Sequence, residues 1–145
     1  MSRFLSSILK DLKSWGLQII SESPADKKGD VIEVYQNIPG TEKKLVGYLM
    51  YEDPEYIFQY ERNYDGALMF AFPDRTKEYK STHLWPFFTI RIPPLDRPDI
   101  KKIMREKSLN KDHILKLLGT LGKTSISNSY ELEFIENTES QAETV

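Results

Sequence analysis

Val31-Ile-Glu-Val-Tyr35, Leu45-Val-Gly-Tyr-Leu-Met-Tyr51 and Tyr56-Ile-Phe-Gln-Tyr-Glu-Arg62 are three runs rich in β-branched and aromatic residues, types that suit a pleated, half-buried strand. Two short turn-forming segments separate them, Ile38-Pro-Gly-Thr-Glu-Lys-Lys44 and Glu52-Asp-Pro-Glu55. A parallel crossover needs about a dozen residues or more, so these strands are expected to pair consecutively and antiparallel. In the third run Tyr56, Phe58 and Tyr60 share one face, and Gln59 and Glu61 the other. Asn63-Tyr-Asp-Gly66 predicts another turn, and Ala67-Leu-Met-Phe-Ala-Phe72 a fourth short strand. Twelve of the seventeen aromatic residues lie between Tyr48 and Phe88, which places the main core there.

Helical signals flank this region. Phe4, Leu5, Ile8, Leu9, Leu12 and Trp15 recur at helical spacing behind a Ser2 cap and before Gly16, predicting an amphipathic helix whose apolar face packs on the domain's own core. Leu17-Gln-Ile-Ile20 could form a short strand, and Ser21 to Asp30 reads as a linker. Toward the C-terminus, Asp96 is placed to cap a helix with Pro98 in its first turn, Asp99 at N3 and an apolar stripe of Ile100, Ile103 and Met104. That helix should end near Lys107. A further helix is expected from Ser108 or Asn110, carrying Ile114, Leu115, Leu117, Leu118 and Leu121 inward and ending at Gly122 as a C′ glycine. Tyr130-Glu-Leu-Glu-Phe-Ile135 alternates as a last strand. The fold class is therefore α+β, an antiparallel and partly curled sheet with packed helices. Residues 1–29 form an N-terminal helix and linker, 30–136 the domain proper, and 137–145 an acidic tail expected to be disordered.

The stretch Tyr79-Lys-Ser-Thr-His-Leu-Trp-Pro-Phe-Phe-Thr-Ile-Arg-Ile-Pro-Pro-Leu95 sits between the sheet and the helices. Its prolines argue against a helix interior or a central strand. It is either a buried crossing or a rigid segment presenting aromatics to a partner. In an extended run Phe87 and Phe88 would point to opposite sides.

Composition narrows the function. With 39% hydrophobic residues, net charge -2 and 29% charged residues, and a mean hydropathy of -0.50, the chain reads as a soluble domain without a general basic field for nucleic acid. No apolar run is long enough for a membrane span. Lys10, Asp11 and Lys13 interrupt any secretory h-region. The absence of cysteine excludes disulfides, thiol catalysis and cysteine-based zinc sites, and a cytoplasmic location is expected.

No residue set announces catalysis. Gly119-Thr-Leu-Gly-Lys-Thr124 ends like a phosphate-binding loop, but Leu117 stands where the template needs its first glycine. Its glycines also follow a helix instead of preceding one. His83 and His113 are the only histidines. His113 is expected to be solvated in the first turn of its helix, and Ser81 with His83 lacks the surroundings of a nucleophile elbow. Glu52, Asp53 and Glu55 lack calcium-loop spacing. The pairs Lys43-Lys44 and Lys101-Lys102 are too sparse to neutralise a nucleic-acid backbone. No cofactor and no metal are expected, and the chain reads as a binding module, not an enzyme.

Several motifs resemble those of a known family. Val31-Ile-Glu-Val-Tyr-Gln-Asn37 followed by Leu45-Val-Gly-Tyr-Leu49 is similar to the opening hairpin of the N-terminal domain of HipA-type kinase toxins, with its "(V/L)-G-x-L" strand. Tyr56-Ile-Phe-Gln-Tyr60 resembles that domain's "x-F-x-Y" strand. Pro86-Phe-Phe88 matches the start of "P-F-F-x-x-L-L-P-E-G", with Arg91-Ile-Pro93 standing where "L-L-P" is usual and Pro94-Leu95 replacing Glu-Gly. The helices ending in Leu117-Leu-Gly-Thr-Leu-Gly122 match the closing segment of the same subdomain. No kinase phosphate loop, catalytic aspartate or magnesium ligand follows within the sequence.

An isolated copy of the subdomain resembles HipS, the small antitoxin of tripartite HipBST toxin–antitoxin systems. The resemblance implies a bacterial, non-enzymatic antitoxin that neutralises a HipT-type Ser/Thr kinase by direct contact. A HipB-like helix-turn-helix repressor would join a ternary complex, and this chain itself would bind neither DNA nor membrane. His83, Leu84, Trp85, Pro86 and Phe87 are the expected partner contacts, with Trp85 presented to the kinase's active-site cleft. The alternative is a single-stranded nucleic-acid-binding domain that stacks bases on exposed aromatics of a curled sheet. A hydrolase built on Ser81 and His83 is a weaker third reading.

Overall fold

The computed structural model of the protein describes residues 26 and 29–136. The expected N-terminal helix, the strand at 17–20 and the acidic tail at 137–145 lie outside the described residues.

Five strands form one antiparallel sheet that does not close: β1 (Val31–Gln36), β2 (Lys44–Glu52), β3 (Glu55–Tyr60), β4 (Tyr79–Ser81) and β5 (Tyr130–Ile135). Their order is β4-β3-β2-β1-β5. The three runs quoted first pair as consecutive hairpins, with Glu33 opposite Tyr48 and Leu49 opposite Phe58. β5 returns from the far end of the sequence to pair with β1, Val34 facing Leu132. Among the described residues three helices accompany the sheet, α1 (Pro86–Thr89), α2 (Pro98–Glu106) and α3 (Ile114–Leu121). None of the helices among the described residues is long and apolar enough to cross a membrane.

One core joins the layers. Ile32, Val34, Val46, Leu49, Phe58, Tyr60 and Leu132 from the sheet meet Phe88 of α1 and Leu115 and Leu118 of α3, with Tyr64, Met69 and Phe72 from the β3–β4 connection. The alternation along β3 takes the expected form, with Phe58 and Tyr60 buried and Gln59 exposed.

Several expectations are corrected. Ala67 to Phe72 is not a strand, because its backbone is held by side chains and a turn instead of a neighbouring strand; the fourth strand is the short β4. Pro86 does not interrupt a helix but starts one. As the first helical residue its missing N–H costs nothing, so Pro86-Phe-Phe-Thr89 forms a single turn, not an extended run. At the next helix Arg97, not Asp96, is the N-cap and makes no side-chain cap bond; Asp99 pairs with Arg97 instead. The last helix begins at Ile114, since the Asn110 carboxamide accepts the Asp112 N–H and holds the preceding segment in a turn. His113 is buried against Asp30 and Asp26, not solvated.

Candidate functional site

The site is built from the β3–β4 connection and the segment entering α1. The buried Tyr60 phenol accepts the Met69 N–H at 2.8 Å and donates to the Phe72 carbonyl. Burial raises its pKa to about 12, so the hydroxyl stays neutral and can do both. Tyr64 stacks on Tyr60 with ring centroids 5.9 Å apart, and Phe72 stacks on Phe58 at 4.0 Å. Arg75 donates to the carbonyls of Tyr64 and Gly66, closing the base of the loop. With Met69 and Phe72 both anchored, and the Phe72 N–H bonded to the Met69 carbonyl at 2.9 Å, Phe70 and Ala71 occupy the two outer corners of a turn. Phe70 is thereby held fully exposed, at 104% of its reference surface.

The facing wall comes from the second segment. The Ser81 hydroxyl accepts the His83 N–H at 3.1 Å, turning the chain at the end of β4 and leaving the His83 side chain outside. That hydroxyl is engaged by backbone, not by the imidazole. Trp85 is extended, and its carbonyl accepts the N–H groups of Phe88 and Thr89 at the start of α1. Its indole stands edge-on to Phe72, centroids 5.1 Å apart. Phe88 points into the core, whereas Phe87 is half-buried, edge-on to Tyr130 at 5.6 Å, with the Arg91 guanidinium over its ring.

Between these walls lies a groove of about 530 Å³. Leu68, Met69, Phe70 and Ala71 form one side, Trp85, Pro86 and Phe87 the other, and Tyr130 borders it too. Its lining is almost wholly apolar. Of the five expected contact residues, Trp85, Pro86 and Phe87 line the groove, Leu84 is half-buried against the core, and His83 is exposed outside it. Trp85 is a fixed wall instead of a free arm, because its edge is committed to Phe72. The sequence reading missed Leu68 and Phe70. A strand reading of Ala67 to Phe72 would put Phe70 and Phe72 on one face, so the outward turn was hidden until Tyr60 was seen to hold both of its ends.

The open face of the sheet differs in chemistry. Tyr35 donates to Glu33 at 2.8 Å and Tyr48 to Glu61. These carboxylates raise both phenols to about 12. With Glu131 and Glu133 beside them the face is mainly acidic; Lys43 pairs with both, and Arg62 and Arg75 border it beside Tyr48, Gln59 and Glu61. Such a surface repels a phosphate backbone. No group of three or more histidine or carboxylate side chains among the described residues could hold a metal ion.

Fold and groove define a small α+β domain that offers a preformed apolar recess beside a projecting aromatic. The sequence matches the HipA N-terminal domain family over residues 40–126, more than half of the chain. The protein belongs to that family. No curated protein matches it.

Proposed function

We propose that this chain is a HipS-type antitoxin that binds and neutralises a HipT-type Ser/Thr kinase through the groove and Phe70, and is not itself an enzyme. A role in a toxin–antitoxin system is consistent with membership of the HipA N-terminal domain family. The observation that carries the finer reading is a fully exposed phenylalanine fixed beside an apolar groove walled by Trp85, Pro86 and Phe87. Ordering a large aromatic in water stabilises nothing in the free domain, while rigid aromatics beside pockets are the usual anchors of protein interfaces. Phe70 inserts into the kinase, and an apolar side chain of the kinase fills the groove against Trp85, at or beside its active-site cleft. A HipB-like repressor completes the assembly, and DNA contact falls to that subunit. The acidic open face of the sheet does not favour the nucleic-acid alternative.

The test measures binding to, and inhibition of, the cognate kinase by calorimetry and an autophosphorylation assay. Phe70→Ser should leave thermal stability unchanged and weaken binding by about 2 kcal/mol, roughly thirtyfold in Kd. Trp85→Ala should lose inhibition with a modest fall in stability, since Phe72 loses one edge contact. If both variants, folded, still neutralise the kinase like the parent chain, the reading fails.

A further inference from the structure

The turn Met69-Phe70-Ala71-Phe72 has no local reason to form. Its corners are Phe70 and Ala71, neither of them a glycine, proline, asparagine or aspartate of the kind that favours such positions. Both corner side chains are exposed, so packing does not hold them either. Yet the Phe72 N–H closes on the Met69 carbonyl at 2.9 Å. Two kinds of contact hold the ends of the turn. The Met69 and Phe72 side chains are buried, but apolar burial is non-directional and does not choose which way the corners face. Hydrogen bonds are directional, and one hydroxyl spans both ends: the Tyr60 phenol accepts the Met69 N–H at 2.8 Å and donates to the Phe72 carbonyl. Other bonds lie nearer the base of the loop, from Arg75 to the Tyr64 and Gly66 carbonyls and from the Tyr64 hydroxyl to the Ala67 carbonyl.

We propose that Tyr60 is a positioning residue for partner recognition: its hydroxyl sets the affinity of the groove site by holding Phe70 outward, without touching the partner. The inference rests on Phe70 being the anchor that enters the kinase. Tyr60 itself is 4% exposed and lies beneath the turn, so a bound protein does not reach it. Its effect is on the free state. A partner must meet the cost of ordering whatever is loose before binding, and a preformed turn removes that cost. Tyr60→Phe isolates this effect, because it deletes one oxygen and keeps the ring edge-on to Phe58 at 5.1 Å and stacked on Tyr64 at 5.9 Å. With the hydroxyl gone, the Met69 N–H and Phe72 carbonyl turn to water, and Phe70 samples other directions. Ordering the two corner residues again on binding should weaken affinity roughly tenfold.

A double-mutant cycle, measured by calorimetry on the full chain against the cognate kinase, tests this. Tyr60→Phe should raise Kd roughly tenfold in the parent chain and leave it unchanged in a Phe70→Ser background, where there is no anchor left to place. An equal loss in both backgrounds would mark a merely structural role and overturn the proposal. Parental affinity in folded Tyr60→Phe would overturn it too. If Phe70→Ser itself binds like the parent, the anchor reading falls first and this inference falls with it. A second measurement requires no variant to fold. Backbone amide relaxation by NMR on the free parent chain should find Phe70 as rigid as β3, with an order parameter of about 0.85. A value below about 0.6 there would overturn the proposal by itself.

Discussion

Arg91 is 7% exposed and has no carboxylate beside it among the described residues; its guanidinium instead donates to the carbonyls of Gly122 at 2.8 Å, Tyr130 at 2.6 Å and Lys123 at 3.3 Å and to the Asn128 carboxamide at 3.1 Å. It ties the end of α1 to the turn after α3 and to the start of β5. Burial lowers its pKa, and the fork of donors is what makes a buried cation tolerable. Arg91→Met should cost about 3 kcal/mol or more, because several buried acceptors lose their partner at once, a loss that urea denaturation would measure. Asp26 is the second residue whose burial carries a consequence. Desolvation raises its carboxyl above the usual range against the Leu115 N–H, the Tyr56 hydroxyl and His113, with Asp30 adding to the rise. A carboxyl with a raised folded pKa binds more protons folded than unfolded. Its contribution is therefore fully present below the unfolded value of 3.8 and is lost as pH rises through the folded one. Asp26→Asn still accepts the Leu115 N–H but cannot ionise. It should flatten the decline in unfolding free energy above about pH 4, and an unchanged slope in denaturation across that range would rule the carboxyl out as its source.

At the scale of elements, the glycines that resembled a phosphate loop are packing devices. A Cβ at Gly119 would lie 2.4 Å from the Phe134 Cβ and 2.9 Å from its backbone nitrogen, so α3 rests directly on β5. Gly119→Ala gains helix propensity, yet the contact is with backbone that cannot move aside. The variant should lose about 1–3 kcal/mol of stability, seen as a lower midpoint in thermal or urea unfolding. Gly122 closes α3 with φ -112, not in the left-handed conformation expected of a C′ glycine. It is required because the Arg91 carbonyl stands 2.9 Å from where a Cβ would be. The strands were legible because alternation and turn chemistry are local. The helix starts were less so: Asp96 and Asn110 are good capping types, but one is bypassed in favour of Arg97 and the other is spent on a turn.

Across the whole molecule, a single core links the five strands, α1, α3 and the β3–β4 connection, so unfolding should be one cooperative event. In a Trp15→Phe background, Trp85 emission and far-UV circular dichroism should give coincident denaturation curves; separated midpoints would show the groove wall melting independently. The sequence alone determined β1, β2 and β3 with their antiparallel hairpins, and β5 as a strand. Those follow from periodicity and residue type within a few positions. Tertiary structure alone decided that β5 returns to β1, that Arg91 and His113 are buried, and that Phe70 projects beside the groove. Each of these depends on a group remote in the chain: Leu132 opposite Val34, the Gly122 and Tyr130 carbonyls on Arg91, Asp30 against His113, and the Tyr60 hydroxyl holding Met69 and Phe72. A side chain's exposure is set by the partners that folding brings to it, and no local pattern names those partners.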